Sequence, residues 1–213
     1  MNTLTEKAFE QSRTGIFTYT ELLVWFGDNR GSIKGLVKRA IASGEILHIR
    51  RGLYCLSSKY NRYGISRNVF ANLIYGPSYI SMETALSEHG WIPEAVHSVT
   101  SVSMRRAKSF ETPLGYYDYV QIKQYPLYCG VERRISDVNG VPFFLAKPLK
   151  ALVDYVVSRR LDWGGREPLE ESLRIEPESL ETLTTSDFDE LDNLYKSRRA
   201  KLFLAGLKKE LGK

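Results

Sequence analysis

The sequence predicts an α+β fold in two parts, and three observations support this prediction. The first third of the chain alternates helix-like and strand-like patterns over short distances. The middle is rich in strand-like runs separated by turn residues, and the last part of the chain is helical in character, acidic first and basic at the end. We therefore expect a small N-terminal domain over residues 1–60. A larger mixed domain with a C-terminal helical region is expected over residues 61–213.

The composition is that of a folded protein, with 43% hydrophobic and 26% charged residues among 213. No apolar run is long enough to span a membrane, and the N-terminal residues lack the apolar core of a signal peptide. These features predict a cytoplasmic protein with no membrane partner. Cys55 and Cys129 are far apart in the sequence, which favours two buried thiols over a disulfide or a metal site.

The positive charge is concentrated in the first third of the chain. Residues 1–67 contain eleven basic and five acidic side chains, whereas the remaining residues contain nineteen basic and twenty acidic ones. The whole chain carries a formal net charge of +5. This asymmetry predicts an acidic partner for the N-terminal part, and nucleic acid is the usual candidate.

The N-terminal part is predicted to contain helices separated by a turn. A short helix over residues 5–12 comes first, and Thr18 or Thr20 can cap the next helix, which runs through ELLVWF. GDNRGS, at residues 27–32, is a turn. A further helix begins at Ser32 and stops at Gly44, where a terminating glycine belongs.

The helix SIKGLVKRAIAS has one apolar face. Its apolar residues recur at helical spacing and predict a buried stripe of Ile33, Leu36, Val37, Ala40 and Ile41. The opposite face carries small or basic residues: Gly35, Ala42, Lys34, Lys38 and, at its edge, Arg39. A helix of this kind can lie in the major groove of DNA. A basic face that is simply solvated would show the same pattern.

The next segment, GEILHIRRGLYCLS, predicts a β-hairpin whose tip contains two adjacent arginines and a glycine. A hairpin directly after a helix–turn–helix is the order of a winged helix-turn-helix. The arginines then suit a wing that contacts phosphate or the minor groove, although a solvated basic loop is the alternative. The candidate DNA-binding residues are Asn29, Arg30, Ser32, Lys34, Lys38, Arg39, Arg50 and Arg51.

Farther along, residues 57–64 are polar and turn-rich and are predicted to form a linker. A helix through SRNVFANLIYG follows, then a short strand and a helix in YISMETALSEHG, capped by Ser81. Strands are predicted in AVHSVTSVSM, GYYDYVQIKQY, CGVERRIS and VPFFLA. The helix KPLKALVDYVVSRR places Leu149, Leu152, Val153, Val156 and Val157 on one face.

Three segments resemble the AbiEi family of antitoxins from bacterial type IV toxin–antitoxin systems. They are GLVKRAIASGEILHIRRGLY, the long run from PSYISMETALSEHGWIPE to FETPLGYYDY, and AKPLKALVDYV. The motif RGLY is weakly specific, whereas YISMETALSEHGWIPE followed by TSV and FETPLG is much more specific. The resemblance covers about residues 15–160, and the C-terminal helices match in general character.

The resemblance implies a transcriptional autorepressor that is also an antitoxin. Its winged-helix domain would bind inverted repeats in double-stranded DNA of its own promoter. Its C-terminal domain would neutralise a nucleotidyltransferase-like toxin encoded alongside. The resemblance further implies that two copies, or the two domains of one copy, bind the inverted repeats cooperatively, and the family offers no fixed catalytic residues to carry over. We expect a monomer or weak dimer with no cofactor. An alternative is a winged-helix regulator with a ligand-sensing C-terminal domain and no toxin partner.

Motifs of common enzymes are missing from the sequence, including GxGxxG, the P-loop, GxSxG, paired CxxC and HExxH. The three histidines, His48, His89 and His97, are scattered, and His89 suits the end of a helix. Asp187 and Asp189 resemble a metal-binding carboxylate pair, but an acidic first helical turn explains them better. We therefore expect no metal site and no catalytic site.

A nuclease is a third functional class to consider. Asp118, Gln121 and Lys123 share a predicted strand, and nuclease cores combine acidic residues with a lysine around a divalent metal. Residues at positions i and i+3 of a strand point to opposite faces, so Asp118 and Gln121 are poorly placed for this chemistry. Metal-dependent cleavage that disappears in Asp118→Asn would be required for this class.

A second basic cluster is predicted between strands in the C-terminal part. It is formed by Arg105, Arg106 and Lys108, which Arg133 and Arg134 can join. This cluster would extend the DNA contact, receive an acidic partner or attract the nucleic-acid substrate of a toxin; a solvated loop is the alternative. Tyrosines nearby could stack on bases, but half-buried packing in strands explains them better. They are Tyr116, Tyr117, Tyr119, Tyr125 and Tyr128.

Overall fold

The computed structural model describes residues 1–93 and 97–213. These residues form a mixed α+β fold with ten helices and two sheets, which confirms the predicted fold class. They divide into two compact units. The first unit comprises Met1–Phe70, Glu111–Gly115 and Ile135–Val141, and the second comprises Ala71–Phe110, Tyr116–Arg134 and Pro142–Lys213. The predicted domain boundary between residues 60 and 61 remains a prediction.

The first unit is built from short helices around a small sheet. Its elements are α1 (Thr3–Gln11), β1 (Ile16–Thr18), α2 (Tyr19–Phe26), α3 (Arg30–Ala42), β2 (Ile46–Arg50) and β3 (Leu53–Leu56), followed by α4 (Arg67–Ile74), which leads into the second unit. The three strands are antiparallel in the order β1-β3-β2. Ile16 lies opposite Cys55, and Ile46 lies opposite Leu56, so the two outer strands flank β3 along its length.

One apolar core holds these elements together. It collects residues from the helices α1 to α3 and from all three strands: Leu4, Ala8, Phe17, Leu22, Ile33, Val37, Ala40, Ile46, Tyr54 and Leu56. Cys55 is fully buried, and burial raises the pKa of its thiol to about 12. The predicted buried thiol is confirmed for Cys55, whereas Cys129 is only half-buried.

The segment predicted as a linker, residues 57–64, packs on the first unit. The Asn61 side chain is buried, and its amide donates a hydrogen bond to the carbonyl of Gly64 at 3.0 Å. A Cβ on Gly15, whose φ is +73°, would lie 2.7 Å from the Asn61 side chain. Arg62 covers the ring of Phe9 at 4.7 Å from its centroid. These contacts make the segment part of the folded unit.

A six-stranded sheet and the C-terminal helices form most of the rest of the chain. The elements are β4 (Ser78–Ile80), α5 (Met82–Glu88), β5 (Val99–Ser103), β6 (Lys108–Thr112), β7 (Gly115–Gln121), β8 (Val131–Ile135), β9 (Pro142–Ala146), α6 (Pro148–Arg159), α7 (Glu167–Leu173), α8 (Pro177–Glu181), α9 (Thr185–Leu191) and α10 (Arg198–Glu210). The strand order is β6-β7-β5-β4-β9-β8. Strand β4 is antiparallel to β5 and parallel to β9, and β5 is parallel to β7.

The strands of this sheet correspond to the predicted strand segments with one addition. The segment AVHSVTSVSM contains β5, which begins at Val99, while its first two residues, 95 and 96, lie outside the described residues. The addition is β6, which the sequence pattern does not predict. Lys108, predicted in a loop, begins this strand.

Helix α6 is the central helix of the second unit and packs against α5, α9 and α10. Its predicted apolar face is confirmed for Leu149, Leu152, Val153 and Val156, which are buried, while Val157 is half-buried. Burial extends beyond this face, because Lys150 and Asp154 are also fully excluded from solvent.

Candidate nucleic-acid interface

Local hydrogen bonds fix the ends of the two helices α2 and α3. Thr18 caps α2, because its hydroxyl accepts a hydrogen bond from the Glu21 amide at 3.2 Å and the Glu21 carboxylate accepts one from the Thr18 amide at 2.6 Å. Asn29 caps α3 by accepting from the Ser32 amide at 3.2 Å. Helix α3 therefore starts at Arg30, two residues before the predicted start. The Asn29 side chain accepts the hydrogen bond of a first-turn amide that has no carbonyl partner within the helix.

Helix α3 is attached to the core by a narrower stripe than the sequence predicts. Ile33 and Ala40 are fully buried and Val37 is 8% exposed, as expected. Leu36 is half-buried, and Ile41 is 39% exposed. The prediction that Ile41 is a core residue is wrong, because Ile33, Val37 and Ala40, together with the half-buried Leu36, already cover the core.

All eight candidate DNA-binding residues are exposed to solvent. Arg30 pairs with Asp28 at 3.2 Å between Nε and Oδ1, but both side chains are more than two-thirds exposed, at 69% and 75%. An exposed pair of this kind is worth little and is readily exchanged for another anion. The exposed surface of α3 thus presents Lys34, Lys38 and Arg39 together with Arg30 at its start.

The hairpin tip is formed by Arg51 and Gly52 between β2 and β3. Gly52 has a φ of +77°, which a residue with a side chain rarely adopts, so the glycine rather than an arginine makes the turn. The pairing of β2 with β3 shifts between His48 and Arg50. The Gly52 carbonyl accepts a hydrogen bond from the Tyr19 amide at 3.0 Å, which ties the tip to the start of α2.

A shallow groove of about 280 Å³ runs between α3 and the hairpin. Lys34, Lys38 and Ile41 line it from α3, and Tyr19, His48 and Tyr54 line it from the other elements. His48 and Tyr54 are cross-strand neighbours whose ring centroids lie 5.4 Å apart. The Tyr19 hydroxyl is buried and has no hydrogen-bond partner among the described residues. The groove is therefore mainly apolar with a basic rim, and sequence reasoning missed its apolar part.

The structure does not bring the second basic cluster together. Lys108 lies on β6 and Arg133 and Arg134 lie on β8, the two edge strands of the six-stranded sheet, with four other strands between them. The prediction that the two groups join is wrong, because the order of the strands differs from their order in the chain.

The two halves of that cluster also have local partners. Arg105 donates a hydrogen bond to the Gly76 carbonyl at 3.0 Å and covers the ring of Tyr75. Arg134 forms an ion pair with Glu132 and donates to Nδ1 of His89 at 3.1 Å. The side chains of the other two arginines, Arg106 and Arg133, are exposed. These contacts favour two separate surfaces over one patch.

Three of the residues considered for enzymatic chemistry, Asp187, Asp189 and Gln121, make hydrogen bonds or ion pairs with neighbouring parts of the fold. Asp187 forms a capping box with Thr184 at the start of α9, as an acidic first turn implies, and Asp189 pairs with Lys208 at 2.8 Å. Asp118 is half-buried on β7, while the Gln121 amide donates to the Met104 carbonyl at 2.9 Å. Among the described residues, no group of three or more His, Cys, Asp or Glu side chains is arranged to hold a metal ion.

His89 ends α5 inside the fold. One ring nitrogen, Nε2, lies 2.8 Å from the Ala146 carbonyl, and the other lies near the Arg134 guanidinium. Burial lowers the pKa of His89, and the Arg134 charge lowers it further, whereas the Ala146 hydrogen bond opposes this shift. The expected interaction of a positive histidine with the helix end is therefore replaced by a neutral ring held by hydrogen bonds.

A buried ionic cluster lies in the second unit, and no sequence pattern predicts it. We call it the Lys150 cluster; its residues are Tyr79, Ser81, Gln124, Lys150, Asp154 and Tyr195. Lys150 uses its three donors on Asp154, Gln124 and Tyr195. Asp154 accepts from Lys150 and from the hydroxyls of Tyr79, Ser81 and Tyr195, the last three at 2.7–2.8 Å.

Burial governs the titration of this cluster. It lowers the pKa of Lys150, which the Asp154 carboxylate opposes, and it raises the pKa values of Tyr79 and Tyr195 well above their usual range. The two tyrosines therefore remain phenols that donate to Asp154. Ser81, predicted to cap α5, makes no cap hydrogen bond because its hydroxyl is committed to Asp154.

Neither the models of protein families nor the curated proteins include a match to this chain. Within the described part of the chain, no helix combines the length and the apolar character that a membrane crossing requires.

Proposed function

We propose that this protein is a sequence-specific DNA-binding autorepressor and antitoxin of the AbiEi type. The observation that carries the proposal is the order of elements in the first unit: α2, a turn, the basic helix α3 and a hairpin with Arg50 at the end of β2 and Arg51 at the tip. This order is the one expected of a winged helix-turn-helix, and it supports the proposal. The eight candidate residues are exposed on these elements, where a polyanion can reach them.

In this proposal α3 enters the major groove of the promoter. Lys34, Lys38 and Arg39 would contact bases or phosphates there, while Arg50 and Arg51 of the wing would contact phosphate or the minor groove. The excess positive charge of the first third of the chain would steer this unit to DNA. Inverted repeats in the promoter would bind two copies, or two parts of one copy, cooperatively.

The antitoxin part of the proposal rests on the resemblance of the second unit. The motif YISMETALSEHG forms β4 and α5, and AKPLKALVDYV forms the end of β9 and most of α6. We propose that this unit neutralises a nucleotidyltransferase-like toxin in the cytoplasm. Direct contact, competition for substrate and modification of the toxin are three routes that co-expression with toxin variants would separate.

A gel-shift titration tests the proposal. The protein is titrated against the DNA upstream of its own gene and against scrambled DNA of the same length at one fixed salt concentration. A preference of about hundredfold or more for the upstream DNA is expected of a specific repressor. Equal, salt-sensitive binding to both DNAs would mean that the first unit binds DNA only through its positive charge, without sequence preference, and would refute the proposed repressor function. Rescue of growth when the protein is expressed with the toxin tests the antitoxin part.

A cavity in the second unit favours one alternative function, that of a regulator with a ligand-sensing domain. It has a volume of about 380 Å³ and is lined by Phe188, Leu191, Tyr195, Lys201, Ala205 and Lys208. This volume suits a small molecule. Ala205→Trp would fill the cavity from its exposed side. For a ligand-sensing regulator, this change should alter expression from a promoter–reporter fusion in cells, and unchanged expression would exclude the alternative.

A further inference from the structure

We propose that Ile41 is a specificity-determining residue that packs against the C5 methyl group of a thymine in the promoter. This inference rests on the proposed DNA-binding function of the first unit. Ile41 lies at the edge of the buried face of α3, one helical turn after the buried Val37, and 39% of it is exposed. The core does not require it, because α3 contacts the core through Ile33, Val37, Ala40 and the half-buried Leu36.

The surroundings of Ile41 suit the edge of a base pair better than bulk water. It lines the groove between α3 and the hairpin together with Lys38 and Lys34, which lie about one and two helical turns before it. His48 and Tyr54 form the opposite side. An apolar side chain beside exposed lysines is thus placed where the lysines would hold the phosphates or guanine edges of bound DNA.

The chemistry of the major groove identifies the base. Thymine alone displays a methyl group there, while the other bases display only hydrogen-bond donors and acceptors. An isoleucine side chain has no polar atoms, so it would bury the polar edge of any other base without compensation. Contact with a thymine methyl therefore both stabilises the complex and discriminates against other base pairs.

Deoxyuridine provides a probe that removes only this methyl group. Each thymine of the promoter fragment is replaced singly by deoxyuridine, and the dissociation constant is measured by fluorescence anisotropy. At one position in each repeat, wild-type protein should bind about fourfold more weakly, the equivalent of one buried methyl group. Ile41→Ala should bind the unmodified promoter about as weakly as the wild type binds the modified one, and should be indifferent to deoxyuridine at that position. Ile41→Val should retain part of the sensitivity.

Val24 provides the matched control. It is an apolar residue of α2 with 78% exposure, so Val24→Ala removes an exposed aliphatic side chain from the same unit. This variant should keep the wild-type sensitivity to deoxyuridine. If no thymine is sensitive, or if Ile41→Ala keeps the same sensitivity, the inference is overturned while the repressor stands. If wild-type protein does not prefer its promoter over scrambled DNA, the proposed function and this inference both fall.

Discussion

Lys150 and Asp154 lie one turn apart on α6 and form an ion pair, Nζ to Oδ1 at 3.0 Å, from which solvent is excluded on both sides. Charged residues at this spacing are usually found on solvated helix faces, where such a pair contributes a few tenths of a kcal/mol. Here every donor of the lysine and both oxygens of the aspartate have partners within the Lys150 cluster. The cluster is the polar centre of the second unit.

Breaking this pair should be costly. Lys150→Met leaves the Asp154 charge buried without a cation and should lower the free energy of unfolding by about 3–5 kcal/mol. Asp154→Leu should cost more, because the Lys150 charge and three hydroxyls are then left without their acceptor. Urea unfolding followed by circular dichroism measures both. Lys147→Met, which breaks the partly exposed pair with Glu190, is the control and should cost at most about 1 kcal/mol. An equal, small effect of Lys150→Met and Lys147→Met would contradict the prediction.

The Tyr195 hydroxyl should be worth more than a surface hydroxyl. It accepts from Lys150 and donates to Asp154 within a fully buried site. Tyr195→Phe removes both hydrogen bonds while retaining the ring, so the free energy of unfolding should fall by about 1–3 kcal/mol. Tyr125 is 83% exposed, and Tyr125→Phe should change stability by less than about 0.5 kcal/mol. If the two variants had the same urea midpoint, the hydrogen bonds of the Tyr195 hydroxyl to Lys150 and Asp154 would contribute nothing to stability.

Stability should fall in mildly acidic solution because of His89. Burial holds the pKa of this histidine below its ordinary value of 6.5, so the unfolded chain takes up a proton first as the pH falls. The free energy of unfolding should therefore decrease as the pH is lowered below about 6.5, until the folded state also becomes protonated. The positive Arg134 next to the ring opposes protonation, and Glu132, 4.0 Å from the other ring nitrogen, favours it.

His89→Gln should remove this part of the pH dependence. Thermal unfolding of the wild type and the variant is measured at several pH values between about 5 and 7.5, where ordinary histidines titrate. His48→Gln changes an exposed histidine and serves as the control, which should keep the wild-type profile. Parallel profiles for wild type and His89→Gln would show that another group causes the acid sensitivity.

If the hairpin is the proposed DNA-binding wing, Arg50 and Arg51 should act on affinity for every DNA sequence. Arg50→Ala with Arg51→Ala should weaken binding to promoter and scrambled DNA alike, and should reduce the slope of log K against log salt by about 0.9 for each phosphate that an arginine neutralises. Gel shifts at several salt concentrations measure this slope. Lys209→Ala with Lys213→Ala removes the same charge from exposed positions of the second unit and should leave the slope unchanged. An unchanged slope in the arginine variant would refute the wing assignment.

Lys34 should instead govern sequence preference. Lys34→Ala on the exposed part of α3 should change the ranking of operator variants with single base changes, by about 1–3 kcal/mol at the contacted pair. Affinity for a panel of such variants measures the ranking. Arg13→Ala, an exposed basic residue outside α3 and the hairpin, should leave the ranking as it is. A uniform decrease in affinity across the panel would assign Lys34 to a phosphate.

Elements with local causes can be predicted from the sequence. The Thr18 cap, the termination of α3 before Gly44 and the turn at Gly52 depend on residues within a few positions of each other, and all three are observed. The predicted apolar stripe of α3 is too wide, because helical spacing alone does not tell how much of the helix the core covers. The misplacement of Ile41 in the core has this cause.

Features that depend on distant residues cannot be predicted in this way. In the sequence, Lys150 and Asp154 resemble a solvated pair, and only Tyr79, Gln124 and Tyr195, which come from three other segments, make their burial tolerable. The separation of Lys108 from Arg133 follows from the strand order, which places strands from different parts of the chain side by side. Neither the partners of a buried charge nor the neighbours of a strand leave a periodic signal.

The Lys150 cluster also implies an order in which the two units fold during translation. Translation delivers the core of the first unit early, since its residues lie between Leu4 and Leu56. The cluster, by contrast, lacks one of the partners of its lysine until Tyr195 has been made, 45 positions after Lys150. The N-terminal parts of growing chains tend to fold first. We therefore expect α3, which bears the basic surface, to form before Tyr195 has been synthesised and the second unit can complete the Lys150 cluster.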